Sequence, residues 1–359
     1  MGYDSVDKLQ NLLASEVFHY TNDKKKKAAG RALGTFVELI TYYVIKNWNL
    51  VTFISIEHPL PEFANNEITH NVEFTLHGSK LLVADKIEKN DKPLSCTKII
   101  KKHFDDNINI IPKSGMIIDK NNVIKNAFIL SAHKESFISV YVNSCDNSYK
   151  IHELKTEPFA MFECKRVGIE EGMKKGPQTI EKAKQGSYVA RMVSSLQRIR
   201  YNNGSLGGII QKQDGTFIIQ ENYTLLNELI SSNDIHVLKN FILTIGIISN
   251  HGNWFSSENQ NKELKVLAQS YDWLIFLTDN GIGEFITDLL IRPKKENKPI
   301  KEAFNKSYNE YKKGNIFTKV KIDYYADIAL TNYFRQNAEK IKRWFNVITP
   351  KDRDLNELK

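Results

Sequence analysis

The sequence predicts an α/β fold in which helices flank a central mixed β-sheet. The elements expected along the chain run helix, strands, helix, strand, helix and strand, an order that indicates a sheet covered by helices. Residues 158–164 are almost continuously apolar, as in a strand that is covered on both faces. With 41% hydrophobic and 26% charged residues in a chain of 359, the composition is typical of a globular protein with a sizeable core.

A helix and two strands are expected in the first part of the chain. Apolar residues recur at helical spacing through residues 28–46. Residues 50–56 and 72–76 are typical of strands, and Pro59 and Pro61 predict a loop between them.

The middle of the chain combines a mixed segment with further strands. We interpret residues 78–135 as an insertion in the core, with a hairpin around 119–122. Residues 136–142 and 158–164 then predict two strands, the second at the centre of the sheet.

A helix and a turn are expected next. Pro177 stands at a favourable first-turn position, and the helix is expected to end near Arg200. The glycine and asparagine residues within 202–208 predict the turn that follows.

Alternating elements complete the predicted sheet. Residues 241–248 predict a buried strand, 257–270 a helix and 273–277 another strand. Asp272 and Asp279 bracket this last strand, and we interpret them as structural caps or turn residues.

From Gly283 onward the chain is basic and is expected to be mainly helical. We expect one elaborated domain over residues 1–285, which includes the insertion at about 78–135. A basic, mainly helical C-terminal extension covers residues 286–359.

The charge balance favours a polyanionic partner. The chain carries 50 Lys and Arg against 42 Asp and Glu, which gives a formal net charge of +8. A basic cleft concentrates phosphates and releases their counterions on binding, so nucleic acid is one candidate partner. The basic run Lys24 to Lys27 is either a solvated helix face or a phosphate contact.

Cysteine usage and hydropathy point to a cytoplasmic protein. Cys96, Cys145 and Cys164 show no CxxC spacing, which argues against a disulfide framework or a zinc site. The sequence contains neither a secretory signal pattern nor an apolar run of about 18 residues, so we expect no contact with a membrane.

The strongest chemical signal is the pair Glu163 and Lys165. Residues two apart in a strand share one face, so the carboxylate and the ammonium point the same way while Cys164 points to the other. A carboxylate can hold a hard cation such as Mg²⁺, and a lysine can stabilise charge that develops on a phosphate. This pairing suits phosphodiester hydrolysis. The alternative interpretation is an exposed ion pair on an edge strand.

At these residues the sequence resembles the PD-(D/E)XK nuclease superfamily and, within it, the type II restriction endonucleases. Glu163-Cys164-Lys165 is similar to the (D/E)XK tripeptide, and the likeness extends over roughly residues 28–279. Polar residues at i, i+3 and i+7 of the following helix stand where the family places polar helpers, namely Gln178, Glu181 and Gln185. The stretch from Gln185 to Tyr188 also resembles the Gln and Tyr element of the exonuclease branch.

The resemblance implies a restriction-endonuclease-like core and a metal centre. It implies one or two Mg²⁺ ions held by Glu38, Glu73 and Glu163. It also implies that Lys165 and Gln185 take part in catalysis with Glu73 and Glu163. Glu38 stands on the first core helix, where many members carry an acidic residue, and its alternative interpretation is a solvent-facing glutamate.

The sequence departs from the family pattern at the second acidic ligand, because no Pro-Asp precedes Glu163. Three residues are candidates: Glu73 within an apolar strand, Asp146 in a predicted turn, and Glu153 in a polar strand. We favour Glu73, since a charged residue that faces inward in a strand needs a metal or a partner to offset its desolvation. Asp146 is the next choice.

The implied function is sequence-specific hydrolysis of double-stranded DNA by a type II restriction endonuclease. Cutting both strands of a palindrome requires a symmetric homodimer. Candidate DNA-binding residues lie after the tripeptide, on the next helix and after the strand 241–248, namely Lys175, Gln178, Asn250, His251 and Asn253. Two alternatives are an exonuclease or repair nuclease of the same fold, and a non-catalytic DNA-binding protein.

Overall fold

The computed structural model describes residues 6–18, 22–63, 65–88, 91–104, 114–166, 177–212, 214–232, 241–249, 262–308 and 315–359. For 6–10, 22–27, 177–182 and 262–264 only the backbone is described. The fold is α/β, with a mixed central sheet flanked by helices, as predicted. No helix of these residues is long and apolar enough to cross a membrane.

The chain divides into two compact units, and neither is continuous in sequence. Unit 1 comprises Met1–Ile56, His77–Thr156 and Asp279–Trp344. Unit 2 comprises Glu57–Leu76, Glu157–Thr278 and Phe345–Lys359. The predicted insertion, 78–135, falls within unit 1, and the predicted C-terminal extension contributes to both units.

Unit 1 is mainly helical. Its helices are α1 (Val6–Glu16), α2 (Asn22–Asn47), α3 (Cys96–His103), α7 (Asp279–Ile286), α8 (Lys298–Tyr308), α9 (Tyr324–Gln336) and α10 (Ala338–Lys342). Its strands include β3 (Leu94–Ser95), β4 (Met116–Ile118), β5 (Val123–Lys125), β6 (Phe128–Ala132), β7 (Ser136–Asn143) and β14 (Lys321–Asp323). Strands β14, β5, β4 and β3 form one sheet in that order.

A buried carboxylate organises the centre of unit 1. Asp327 on α9 is 1% exposed, and the Lys46 ammonium of α2 lies 2.8 Å from its Oδ1. The hydroxyls of Tyr43 and Ser144 each donate a hydrogen bond of 2.6 Å to the same carboxylate. These bonds offset the desolvation of both charges and fix α2 against α9.

Unit 2 contains the strands that carry the candidate site. They are β1 (Ile54–Glu62), β2 (Asn65–Lys86), β8 (Ser148–Arg166), β12 (Leu243–Ser249), β13 (Trp273–Leu277) and β15 (Phe345–Thr349), in the order β1-β2-β8-β12-β13-β15. The first three extend into unit 1. The pairs β8–β12 and β12–β13 are parallel, whereas β13–β15 is antiparallel. Strand β8 therefore lies inside the sheet, as its apolar sequence predicts.

Helices cover the parallel strands of unit 2. They are α4 (Pro177–Val193), α5 (Asn222–Ser231) and α6 (Lys262–Ala268). Ala183, Ala190 and Val193 of α4 pack with Met161 of β8 in one apolar core. The small alanines let the helix lie close to the sheet. Residues two apart in a strand share one face, so Met161 points to the same side as Glu163 and Lys165. The packing of α4 on Met161 therefore places the helix over the candidate site.

A second, three-stranded sheet in unit 2 follows α4. Its strands are β9 (Gln197–Arg200), β10 (Leu206–Gln211) and β11 (Phe217–Glu221), all antiparallel. The predicted helix end near Arg200 is wrong, since α4 ends at Val193 and residues 197–200 form β9. The Ser194 hydroxyl accepts a hydrogen bond from the Leu196 N–H. This bond to a side chain takes the place of the backbone bond that would continue the helix.

One further prediction requires correction. Pro59 and Pro61 do not form a loop, because both lie in β1, at one end of the strand order, where a missing N–H is tolerated. The described residues after Gly283 are mostly helical, and they also contain β15, which pairs with β13 and extends the main sheet. The predicted hairpin around 119–122 is confirmed, with β4 and β5 antiparallel and Asn122 at a φ of 57°.

Candidate active site

Strand β8 presents Glu163 and Lys165 on one face, as the alternation of a strand predicts. The Lys165 Nζ lies 2.5 Å from the Glu163 Oε1, and Cys164 between them is buried. Glu163 is only 3% exposed, which excludes the alternative of an exposed edge-strand pair. The ammonium offsets part of the cost of burying this carboxylate.

Strand β2 brings a second carboxylate to the same lysine. The Glu73 Oε1 lies 3.9 Å from the Lys165 Nζ, and the Glu73 N–H donates to the Glu163 Oε2 at 3.4 Å. The Glu73 and Lys165 side chains are 17% and 24% exposed, so the group is open to solvent on this side. Two carboxylates and one ammonium thus share a small, partly open site.

Helix α4 closes over the pair at Gly186. A Cβ atom at this position would lie 2.9 Å from the Glu163 Cγ and 3.3 Å from the Lys165 Cε. It would also lie 2.7 Å from the Tyr271 hydroxyl. A larger residue would therefore displace the charged pair or the tyrosine, and glycine is the residue that lets the helix approach this closely.

Tyr271 completes the buried side of the site. Its ring lies against Gly246 of β12, whose Cα is in register with Glu163 of β8. Its hydroxyl is buried, and no described residue forms a hydrogen bond with it. Burial, and secondarily the charge of Glu163, raise the Tyr271 pKa well above its ordinary value of 10.0. The hydroxyl therefore stays protonated and is an available donor beside the carboxylates.

A second polar cluster includes Tyr188, two residues after Gly186 on α4. The His70 Nε2 is 2.9 Å from the Glu62 Oε1, and the Tyr188 hydroxyl donates to the same oxygen at 3.4 Å. The rings of His70 and Tyr188 meet edge to face with centroids 5.8 Å apart. This cluster joins β1, β2 and α4 at the edge of the site.

The donor set fits a magnesium ion. Mg²⁺ prefers oxygen ligands, keeps several waters, and is often held by one or two carboxylates together with substrate phosphates. Glu73 and Glu163 provide two carboxylates, which are oxygen ligands of the kind that Mg²⁺ prefers. No group of three or more His, Cys, Asp or Glu side chains in the described part of the chain is placed to hold a metal.

The other acidic candidates lie in unit 1. Glu38 on α2 forms an ion pair with Lys319, whose Nζ is 3.3 Å from its Oε2. Asp146 accepts a 2.7 Å hydrogen bond from the Asn143 side chain in the β7–β8 turn. Glu153 accepts a 2.8 Å bond from the Ser136 hydroxyl.

The remaining sequence-predicted residues are described only in part. Gln185 is exposed on α4, directly before Gly186. Gln178 and Glu181 lie on α4, but their side chains are not among those that the structure describes. Lys175, Asn250, His251 and Asn253 lie outside the described residues.

Sequence reasoning missed the role of Gly186 and Tyr271. Tyr271 stands in a short connection before β13, where no local pattern points to chemistry. The nearest sequence signal is a glycine inside a helix, which often marks a close approach of another group.

Asp272 is structural, as predicted, but through a buried hydrogen-bonded ion pair and not as a helix cap. It is buried and accepts hydrogen bonds from the Thr244 N–H and hydroxyl, both at 2.8 Å, and it pairs with Arg198.

Comparison of the chain with protein families, with curated proteins and with solved structures gave no match.

Proposed function

We propose that this protein is a metal-dependent nuclease that hydrolyses phosphodiester bonds of DNA. The observation that carries the proposal is the position of Lys165, whose ammonium lies beside both the Glu163 and the Glu73 carboxylates. Two carboxylates and a lysine on one partly open face match the chemical requirements of phosphodiester hydrolysis.

Each residue has a distinct part in this proposal. Glu73 and Glu163 would hold Mg²⁺, and the ion when bound would supply activation of a water and neutralisation of phosphate charge. Lys165 is anchored by Glu163 and stabilises negative charge that develops on the scissile phosphate. Tyr271 packs behind the charged pair, with its buried hydroxyl at the close approach of Gly186 to Glu163.

The charge of the chain supports DNA as the substrate. A net charge of +8 favours polyanions over neutral or cationic substrates. As the specific form of the activity we propose a type II restriction endonuclease that acts on double-stranded DNA as a homodimer. A twofold-symmetric pair of chains would match the symmetry of a palindromic site.

The test is digestion of closed circular DNA and of linear duplex DNA with Mg²⁺ or with a chelator. We expect cleavage of the circle with Mg²⁺, no cleavage with the chelator, and a small set of discrete ends on sequencing. Glu163→Gln, which keeps the shape of the side chain and removes its charge, should abolish cleavage. Cleavage that persists in this variant would refute the assignment to this site.

The substrate form separates the two nuclease alternatives. An endonuclease opens closed circles, whereas an exonuclease degrades only the linear duplex and leaves circles intact. Random ends would indicate a nuclease without sequence specificity. DNA binding with no cleavage of either substrate would support the non-catalytic alternative.

A further inference from the structure

A basic cleft lies in unit 2 next to the C-terminal half of α4. It has a volume of about 490 Å³, within the range of about 300–1,000 Å³ that small-ligand sites occupy. Its lining includes three arginines and one aromatic ring, namely Arg191, Arg198, Arg200 and Phe63. No acidic residue is among the described residues that line it.

The three arginines are not equivalent. Arg198 forms an ion pair with the buried Asp272, so its charge is already neutralised. Arg191 and Arg200 are exposed, and neither has an ion pair with a described carboxylate. The cleft therefore carries two positive charges that remain available to an anion.

The wall that carries Phe63 is held in place. The Phe63 N–H donates to the Met192 carbonyl oxygen of α4 at 2.6 Å. The preceding Glu62 is held by His70 and Tyr188. The ring itself is 42% exposed although its backbone is fixed, so it offers a flat apolar face at the cleft.

The cleft and the candidate active site both involve residues of helix α4. Gly186 touches Glu163 and Lys165, and Arg191 follows five residues later on α4. At 1.5 Å per residue this is an axial distance of about 7.5 Å. Five residues also turn about 140° beyond one full turn of the helix, so Gly186 and Arg191 face different sides of α4.

We propose that this cleft binds a single unpaired nucleotide of the DNA substrate. The base stacks on Phe63, while Arg191 and Arg200 contact its phosphates. A duplex is too wide to enter, so the nucleotide belongs to a single-stranded end or is extruded from the duplex. The proposal rests on the nuclease function, and it names the part of the substrate that this site recognises.

The experiment measures binding in the Glu163→Gln background, in which cleavage does not deplete the probe. Three labelled oligonucleotides are compared by fluorescence anisotropy: a single strand, a perfect duplex, and a duplex with one unpaired nucleotide. Phe63→Ala should weaken binding of the probes with an unpaired nucleotide by roughly ten-fold. Its affinity for the perfect duplex should change by less than about two-fold, because a paired base does not reach the ring.

Matched controls separate the cleft from general surface effects. Phe217→Ala removes an aromatic ring that is 59% exposed on β11, outside the cleft lining, and should leave all three affinities unchanged. Phe63→Leu provides a second variant that keeps an apolar side chain if Phe63→Ala unfolds.

The two available arginines are tested through the salt dependence of single-strand binding. The double change Arg191→Ala and Arg200→Ala should make the slope of log affinity against log salt concentration shallower by about 0.7 for each phosphate that is no longer neutralised. Lys212→Ala, in the β10–β11 turn, should not alter this slope.

The outcomes distinguish the sources of the nucleotide. Weaker binding of the single strand alone identifies a free end, and weaker binding of the bulged duplex alone identifies an extruded nucleotide. Equal effects on all three probes, or none, would overturn the proposal. Cleavage by the wild-type protein is measured separately, so failure of the nuclease function would appear there and not in these affinities.

Discussion

At the scale of single residues, Lys165 determines the electrostatics of the candidate site. Its ammonium lies 2.5 Å from one carboxylate and 3.9 Å from the other, so it lowers the repulsion between Glu163 and Glu73. Strand alternation predicted the Glu163 and Lys165 pair from sequence. The position of Glu73 could not be derived in this way, because it depends on how β2 pairs with β8.

Gly186 gives the first prediction. Gly186→Ala places a methyl group within 3 Å of Glu163 and Tyr271, which should cost about 1–3 kcal/mol of stability and displace the charged pair. Since a misplacement of 1 Å can cost about a hundred-fold in rate, we expect a loss of cleavage on that order.

Gly34→Ala is the control for this change, because Gly34 lies in helix α2 with no atom within 4 Å of its Cβ position. It should stabilise the protein by roughly 0.5–1 kcal/mol through helix propensity and leave cleavage unchanged. Equal activity in the two variants would show that α4 does not constrain the site.

His152 gives a prediction for pH dependence. Burial, and secondarily Lys150, lower its pKa from the ordinary value of 6.5. As the pH falls below about 6.5, the unfolded chain takes up a proton that folded His152 does not, so the free energy of unfolding decreases.

His152→Asn removes the titrating group, and its amide can still bond the Ser79 hydroxyl that lies 2.7 Å from the His152 Nδ1. Urea unfolding between pH 7 and pH 5 should show a smaller loss of stability in this variant than in the wild type. An equal loss of stability in the variant and the wild type would contradict the lowered pKa of His152.

At the scale of elements, long apolar runs predicted β12 and β13 within a few residues, since burial on both faces leaves a clear pattern. For β8 they predicted only the C-terminal part, because the strand begins at Ser148 and the apolar run at residue 158. Segments whose structure depends on something other than an apolar run were not predicted. Edge position allows the two prolines in β1, and serine bonding ends α4 before β9. Strand β15 is defined by its partner β13, which no local pattern reveals.

Asp272 gives the prediction at this scale. It ties β12 to the three-stranded sheet, because it accepts from Thr244 and pairs with Arg198. Asp272→Asn leaves the Arg198 charge buried without a counterion, which should cost about 3–5 kcal/mol. The measurement is the urea midpoint at an unchanged m-value.

Asp214→Asn is the matched control, since Asp214 is exposed in the β10–β11 turn and bonds to its neighbour Thr216. We expect it to change the midpoint much less. A similar loss of stability in both variants would show that the buried pair of Asp272 and Arg198 stabilises the fold no more than an exposed aspartate does.

At the scale of the whole molecule, the number of candidate active sites in a chain determines how many DNA strands one copy can cut at a time. Among the described side chains, Lys102 and Lys340 also lie beside two carboxylates each, but those carboxylates are 24% to 46% exposed. Of these groups among the described residues, only that of Lys165 includes a carboxylate as buried as Glu163, which is 4% exposed. Hydrolysis of both strands therefore needs two chains or two successive binding events.

This gives a prediction for the kinetics on closed circles. At low protein concentration nicked circles should accumulate before linear DNA, and the linear product should rise more steeply than the first power of protein concentration. Gel analysis of the time course measures both. Linear product that forms without a nicked intermediate, in direct proportion to protein, at concentrations where sedimentation shows only monomers, would contradict the two-chain account.

The central claim is that Glu73 and Glu163 are the acidic residues of a nuclease centre. The most direct measurement is the initial rate of Mg²⁺-dependent cleavage in four variants that each remove one negative charge: Glu73→Gln, Glu163→Gln, Asp146→Asn and Glu153→Gln. The first two should lose roughly a hundred-fold or more in rate, about 2.7 kcal/mol, and the last two should cleave like the wild type. Wild-type cleavage by Glu163→Gln, or loss of cleavage in Asp146→Asn with Glu73→Gln unaffected, would contradict the claim.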